Sequence, residues 1–144
     1  MNVKNCMSKG VKVIEPKTSI KKAAKMMKQG DFGAIPVGEN DRLKGMVTDR
    51  DLVLGVIAEG RDPETATVGD VMSKEVLYCF EDDSLEEAAE LMAKRQVRRL
   101  FVLNDEKRFV GILSLGDLAL ADRVRVGQTL SKVSQREHRE PARH

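Results

Sequence analysis

Apolar and polar residues alternate along this chain in two rhythms, and the pattern is written twice. Ile20, Ala23, Ala24 and Met27 recur at i, i+3, i+4 and i+7, which is one face of a helix, and Leu85, Ala88, Ala89 and Met92 repeat the stripe. The first of these helices is predicted to start near Thr18 and the second near Asp83, where Asp83 or Ser84 followed by Glu86 or Glu87 is a capping signal. Short apolar runs predict a strand before each helix, Val11 to Ile14 and Val76 to Cys79. Two more strands follow each helix: Ala34 to Val37 and Leu43 to Thr48 in the first half, Leu100 to Leu103 and Phe109 to Ser114 in the second. The polar turns between them, Gly38 to Asp41 and Asn104 to Lys107, favour hairpins. A further helix is predicted from Asp49 to Glu59, stopping at Gly60. Leu52, Val53, Leu54, Val56 and Ile57 make that helix apolar on more than one face, so it expects burial on two sides.

The two halves align residue by residue. Val3-Lys4-Asn5-Cys6-Met7-Ser8-Lys9 matches Val68-Gly69-Asp70-Val71-Met72-Ser73-Lys74 at an offset of 65, and one extra residue in the second hairpin shifts the offset to 66, which sets Gly45 on Gly111 and Asp51 on Asp117. The pattern predicts an α/β (α+β) fold of two tandem β-α-β-β-α repeats, residues 1–60 and 68–125, joined by a linker at 61–67. Residues 126–144 are expected to hold a short helix, Gly127 to Val133, and a polar, basic, disordered tail from Ser134.

Composition narrows the function. The chain has 144 residues, 41% apolar and 33% charged, with a net charge of +2, too small to argue for nucleic acid. No apolar run approaches the roughly 20 residues of a membrane span, and Met1 to Cys6 lacks the apolar core of a signal peptide, so a cytoplasmic protein is expected. Cys6 and Cys79 have no metal-ligand spacing, and His138 and His144 fall in the polar tail. Zinc is therefore not expected, nor is a Cys–His nucleophile. A phosphate loop of the Gly-x-x-x-x-Gly-Lys type is missing too, which ranks an enzyme last.

The candidate chemistry lies at Gly45-Met46-Val47-Thr48-Asp49-Arg50-Asp51-Leu52 and its echo Gly111-Ile112-Leu113-Ser114-Leu115-Gly116-Asp117-Leu118. Two readings use the same atoms. Thr48-x-x-Asp51 and Ser114-x-x-Asp117 fit a capping box, which satisfies free helix N–H groups. They also fit a nucleoside clamp, because a carboxylate can accept from adjacent ribose hydroxyls while a Thr or Ser hydroxyl donates to a phosphate or ribose oxygen. Duplication does not separate these readings, since a duplicated cap is still a cap.

The doubled unit, with Met-Ser near each start and Gly-x-x-Thr/Ser-x-x-Asp near each end, resembles a tandem pair of CBS (cystathionine-β-synthase) domains, or Bateman module, of the small stand-alone bacterial type. Phe32-Gly33-Ala34-Ile35-Pro36-Val37 and Val97-Arg98-Arg99-Leu100 add to the likeness, which covers roughly residues 1–125. The resemblance implies repeats packed with pseudo-two-fold symmetry and adenosine-containing regulatory ligands: AMP, ADP, ATP or S-adenosylmethionine, with no cofactor required. It implies clefts built across the repeats. The first would join Met46, Thr48 and Asp51 to Val76, Leu77, Tyr78, Val97, Arg98 and Arg99. The second would join Ile112, Ser114 and Asp117 to Val11, Lys12, Val13, Gly33, Ala34 and Pro36. On that assignment the arginines favour phosphorylated ligands in the first cleft, and Ser114 and Asp117 meet no comparable charge. Phe101 stands where the family usually has proline, so its ring either stacks on a base or fills the first pocket.

Charge also separates the repeats. Lys17, Lys21, Lys22 and Lys25 align with Asp82, Glu86, Glu87 and Glu90. The family commonly dimerises through its helices, and complementary helices would favour a head-to-tail homodimer. The expectation is an adenine-nucleotide-sensing regulatory module acting on a separate effector protein, with a structural dimerisation module as the alternative.

Overall fold

In the computed structural model, which describes residues 1–121 and 129–135, helices and strands mix in an α+β fold. The chain forms two compact units, Val11–Val76 and a second made of Met1–Gly10 with Leu77 onward. The units thus divide the chain differently from the repeats, and each unit takes its opening segment from the start of the other repeat.

In the unit Val11–Val76, helix α1 (Ile20–Gly30) starts at Ser19, whose side chain accepts from the Lys22 N–H, and ends at Asp31 in the left-handed region (φ 54°). Strands β1 (Ala34–Glu39) and β2 (Arg42–Thr48) pair antiparallel, turning through Asn40 and Asp41, both at positive φ. The strand expected at Val11 to Ile14 contracts to one bridge. Only Ile14 joins the sheet, donating to the Pro36 carbonyl at 3.0 Å and accepting from Gly38 at 2.9 Å. Gly10, at φ 68°, and Pro16 bracket this stretch, which limits how far the ladder can extend. Helix α2 (Asp49–Leu52) passes into a π-helical turn over Val53–Ile57, where one continuous helix is expected from sequence. Leu52 of α2 and Val56 of that turn are buried, but Val53, Leu54 and Ile57 are between 49% and 69% exposed, so the expected burial on two sides is not met among the described residues. A short α3 (Val68–Val71) follows. The core gathers Ile14, Ile20, Ala23, Met27, Ile35, Val37, Val47, Leu52, Val56, Ala66 and Val68.

The other unit repeats the plan. Strand β3 (Tyr78–Phe80) runs parallel to β4 (Arg99–Leu103), which pairs antiparallel with β5 (Phe109–Ser114). Helix α4 (Leu85–Arg95) is capped by Ser84 and buries all four residues of its expected stripe, whereas in α1 Ala24 is exposed. Helix α5 (Leu115–Ala121) completes the repeat. The opening segment is built in firmly: Val3 is fully buried, donates to the Asp83 carbonyl at 2.9 Å and belongs to the core with Cys79, Ala88, Met92, Leu100 and Leu113. A helix α6 spans residues 129–135, burying Thr129 and Val133. Ser134 and Gln135 are helical rather than part of a disordered tail; the rest of that tail, and Gly127 and Gln128, lie outside the described residues.

Candidate functional site

Each repeat carries its hydroxyl and carboxylate at a strand end. At the close of β2 the Thr48 N–H donates to Asp51 Oδ2 at 2.8 Å, and the Asp51 N–H donates to Thr48 Oγ1 at 3.2 Å. At the close of β5 the Ser114 N–H donates to Asp117 Oδ2 at 2.8 Å, and the Asp117 N–H donates to Ser114 Oγ at 3.2 Å. Thr48, Asp51 and Ser114 are half-buried, as is the box at Asp117 that Ser114 closes. The box uses one carboxylate oxygen and the accepting side of each hydroxyl. It leaves the second carboxylate oxygen as an acceptor and the hydroxyl proton as a donor.

The box alone does not mark a site. Thr67 donates to Asp70 Oδ2 at 2.9 Å, and Ser84 and Glu87 cap each other in the same way. Asp70 is committed further. The Thr67 backbone N–H, then Arg61 at 2.9 Å, hold its carboxyl below the ordinary range.

What distinguishes the strand-end boxes is their cross-strand neighbours. Thr48 pairs with Ala34, and the Asp49 N–H donates to the Gly33 carbonyl at 2.9 Å. Ser114 pairs with Arg99, and the Leu115 N–H donates to the Arg98 carbonyl at 2.9 Å. Paired residues project from the same face of a sheet. Arg99 therefore lies beside Ser114 within one unit, so the expectation that Ser114 and Asp117 meet no comparable charge does not hold. The reason is register, which pairs the start of β4 with the end of β5. The first junction has the opposite character, with Asp49 and Asp51 together. A Cβ on Gly33 would come within 2.8 Å of Asp49 Oδ2, so the carboxylate takes the space that a side chain at position 33 would need. At the second junction Leu115 replaces Asp49 and Arg98 replaces Gly33. Sequence reasoning missed Asp49; its signal was a charge difference at the position after the hydroxyl.

The other expected site residues fall as follows. Val11 is half-buried, Lys12 and Val13 are exposed ahead of Ile14, and Pro36 is buried opposite Met46. Val76 and Leu77 are half-buried, as is Val97, which precedes the exposed Arg98 and Arg99. Tyr78 is 45% exposed, with its ring edge-on to Phe80. Phe101 is buried opposite Ile112, its ring 5.9 Å from Phe109, so that ring is engaged in packing. Met46, Thr48, Asp51 and Val76 share a unit with Val11, Lys12, Val13, Gly33, Ala34 and Pro36; Leu77, Tyr78, Val97, Arg98 and Arg99 share the other with Ile112, Ser114 and Asp117.

A second strand-side contact frames each junction. Ser73 and Met46 exchange hydrogen bonds at 2.9 and 3.0 Å, and Ser8 and Ile112 do so at 2.9 and 3.1 Å. The Met-Ser dipeptides near the start of each repeat thus bridge to the strands two residues upstream of Thr48 and Ser114. Among the described residues no group of three His, Cys, Asp or Glu side chains is placed to hold a metal. Burial pushes the Cys79 thiol up to about 12, which leaves it protonated and a poor nucleophile near neutral pH. Nor, among the described residues, is any helix long and apolar enough to cross a membrane.

Two repeats, each a helix followed by an antiparallel strand pair that runs through a hydroxyl–carboxylate box into a second helix, define a tandem-repeat scaffold. The CBS domain model matches residues 3–57 and 68–123, and the chain belongs to the CBS domain family, as a tandem pair. It is 47% identical over 119 residues to the CBS domain-containing protein YhcV of Bacillus subtilis, covering 83% of this chain and 84% of that one. It is 38% identical over 117 residues to hypoxic response protein 1 of Mycobacterium tuberculosis, covering 81% of each. A crystal structure of hypoxic response protein I, with two coordinated zinc ions, matches with a TM-score of 0.70 at 36% identity, covering 84% of this chain and 98% of that one. CBSX2 in complex with AMP matches with a TM-score of 0.67 at 28% identity, covering 83% and 94%.

Proposed function

We propose that this chain is a non-catalytic regulatory module that binds adenosine-containing ligands at its two strand-end boxes and signals to a separate effector protein. The AMP complex of CBSX2 supports the ligand class. The observation that carries the reading is the duplicated box with unequal neighbours. Asp51 and Asp117 each offer a carboxylate oxygen to a ribose diol, and Thr48 and Ser114 each offer a hydroxyl proton. Phosphate goes with Ser114 and Asp117, where Arg99 supplies forked donors. Asp49 beside Thr48 opposes an anion and suits a neutral nucleoside or the cationic sulfonium of S-adenosylmethionine. The remaining residues expected in the two clefts are proposed as lining, Phe101 excepted, and the chain works as a homodimer.

Isothermal titration of the wild type and three variants tests this. AMP and ATP affinity should fall at least about tenfold in Asp117→Ala and Arg99→Ala, while Asp51→Ala keeps the tighter event. Loss of nucleotide binding in Asp51→Ala with Asp117→Ala unaffected would return phosphate selection to the Thr48 box. Each Asp variant also loses a cap worth about 1 kcal/mol, so thermal unfolding without ligand serves as the control. A ligand at 100 times its dissociation constant should stabilise the wild type by about 2.7 kcal/mol.

A second reading has its own support. The same box closes at Thr67–Asp70 and Ser84–Glu87, so hydroxyl–carboxylate pairs here also serve as caps alone. An interaction module with unused boxes would show no thermal response to AMP, ADP, ATP or S-adenosylmethionine.

A further inference from the structure

We propose that the lysine face of α1 is a docking surface for an acidic amphipathic helix of the effector protein. This rests on the reading that the chain signals to a separate protein, and it adds where that protein docks and what chemistry it presents. Lys21, Lys25 and Lys28 fall at i, i+4 and i+7, a single stripe, with Lys22 on one flank and Ala24 on the other, and all five are exposed. No acidic residue lies anywhere in α1. The stripe therefore sets like charges three and four residues apart, and Lys21 and Lys22 stand where a helix start already carries partial positive charge. The repeat counterpart α4 does the reverse: Glu86 and Glu87 open it, Lys94 and Arg95 close it, and Glu90 stands four residues before Lys94. Helix α1 thus forgoes a local stabilisation that α4 has, at positions turned away from its own core. Negative charge brought from outside the helix offsets that.

The chain itself shows what this face takes. At the helix start, segment 61–67 lays a carboxylate on it: Lys21 Nζ donates to Glu64 Oε1 at 2.8 Å, while the Ile20 and Lys21 N–H groups donate to the Ala66 and Pro63 carbonyls at 3.1 and 3.0 Å. Beyond that first turn the cover stops. Among the described residues Lys22, Lys25 and Lys28 have no carboxylate within ion-pair distance. Lys25 and Lys28 continue the stripe at rises of about 6 and 4.5 Å, the spacing at which a second helix repeats carboxylates at i, i+4 and i+7.

Ala24 decides between kinds of partner. Its counterpart Ala89 is 2% exposed, whereas Ala24 stands open beside the stripe. A methyl group next to a row of ammonium groups matches the boundary between the acidic and apolar faces of an amphipathic helix, and its small size lets a second helix come close. Nucleic acid and membrane fit less well. Helix α1 has no aromatic side chain to stack a base, and none of its exposed positions holds a large apolar residue to enter a lipid surface.

Fluorescence anisotropy tests this, with the full chain added to a labelled helical peptide that has Glu at i, i+4 and i+7 and alanine along one flank. The peptide should bind, more weakly as salt is added. Lys22→Glu, Lys25→Glu and Lys28→Glu together should weaken it at least about tenfold. A scrambled peptide of the same composition should bind at least about fivefold more weakly. Isothermal titration with AMP and sedimentation of the chain should be the same in the wild type and the triple variant, which shows that the variant folds and that the face lies neither in the boxes nor between copies. A peptide that does not bind, a scrambled peptide that binds as well, or a triple variant that binds like the wild type overturns the proposal. So does a triple variant that sediments as a smaller species, because the face is then covered by another copy. Tighter binding of poly(U) RNA or phosphatidylserine vesicles through the same lysines overturns it in favour of a polyanion. A wild type that responds to AMP but not to the peptide overturns the docking surface alone, and one that binds the peptide but no adenosine ligand upholds it and overturns only the nucleotide reading.

Discussion

Gly45 and Gly111 show how single residues place the two boxes. A Cβ at Gly45 would collide with the Ser73 carbonyl oxygen, and one at Gly111 would come within 2.6 Å of the Ser8 carbonyl oxygen. Both glycines let a Met-Ser segment lie close against the strand that ends in the box. Gly45→Ala and Gly111→Ala should each destabilise the fold by about 2–3 kcal/mol, read as a shift in the urea midpoint without a change in slope. Cys79 gives a second residue-level test. Its thiol ordinarily ionises near 9, but burial in the folded state raises this to about 12. A raised acid favours folding while it stays protonated, so that stability is present below pH 9 and is lost as pH rises toward 12. Denaturation midpoints should fall over that alkaline window in the wild type, and less in Cys79→Ala once its packing loss is subtracted. Below the ordinary thiol pKa, thiol reagents should label the half-buried Cys6 first and Cys79 only on unfolding.

At the scale of elements, local rules were readable and long-range pairings were not. The starts of α1 and α4 at Ser19 and Ser84 follow from caps and apolar spacing that operate over a single helical turn. The boxes at Thr48–Asp51 and Ser114–Asp117 were legible for the same reason. The strand expected at Val11 to Ile14 was too long because an apolar run indicates β propensity, whereas only Ile14 has backbone partners in the sheet. The π-helical turn at Val53–Ile57 left no mark in the apolar pattern, since α and π turns bury similar residue types. The opening segments were visible as repeated Met-Ser dipeptides, yet not as parts of a core. Val3 and Val68, equivalent and each fully buried, should be equally sensitive. Val3→Ala should cost about 2 kcal/mol, as in a core, although it lies close to the start of the sequence.

For the whole molecule, the sequence by itself determined the doubled plan, the order of elements, the two helical stripes and the paired hydroxyl–carboxylate boxes. These are set by neighbours a few residues apart, through periodicity and caps. Tertiary structure decided two further things. It joined Met1–Gly10 to the unit that begins at Leu77, and it set Arg99 beside Ser114, giving that junction cationic neighbours while Asp49 makes the first junction acidic. The physical reason is the same for both. Hydrogen-bond register and core membership between residues far apart in sequence depend on how strands close against one another, and no local spacing encodes that closure.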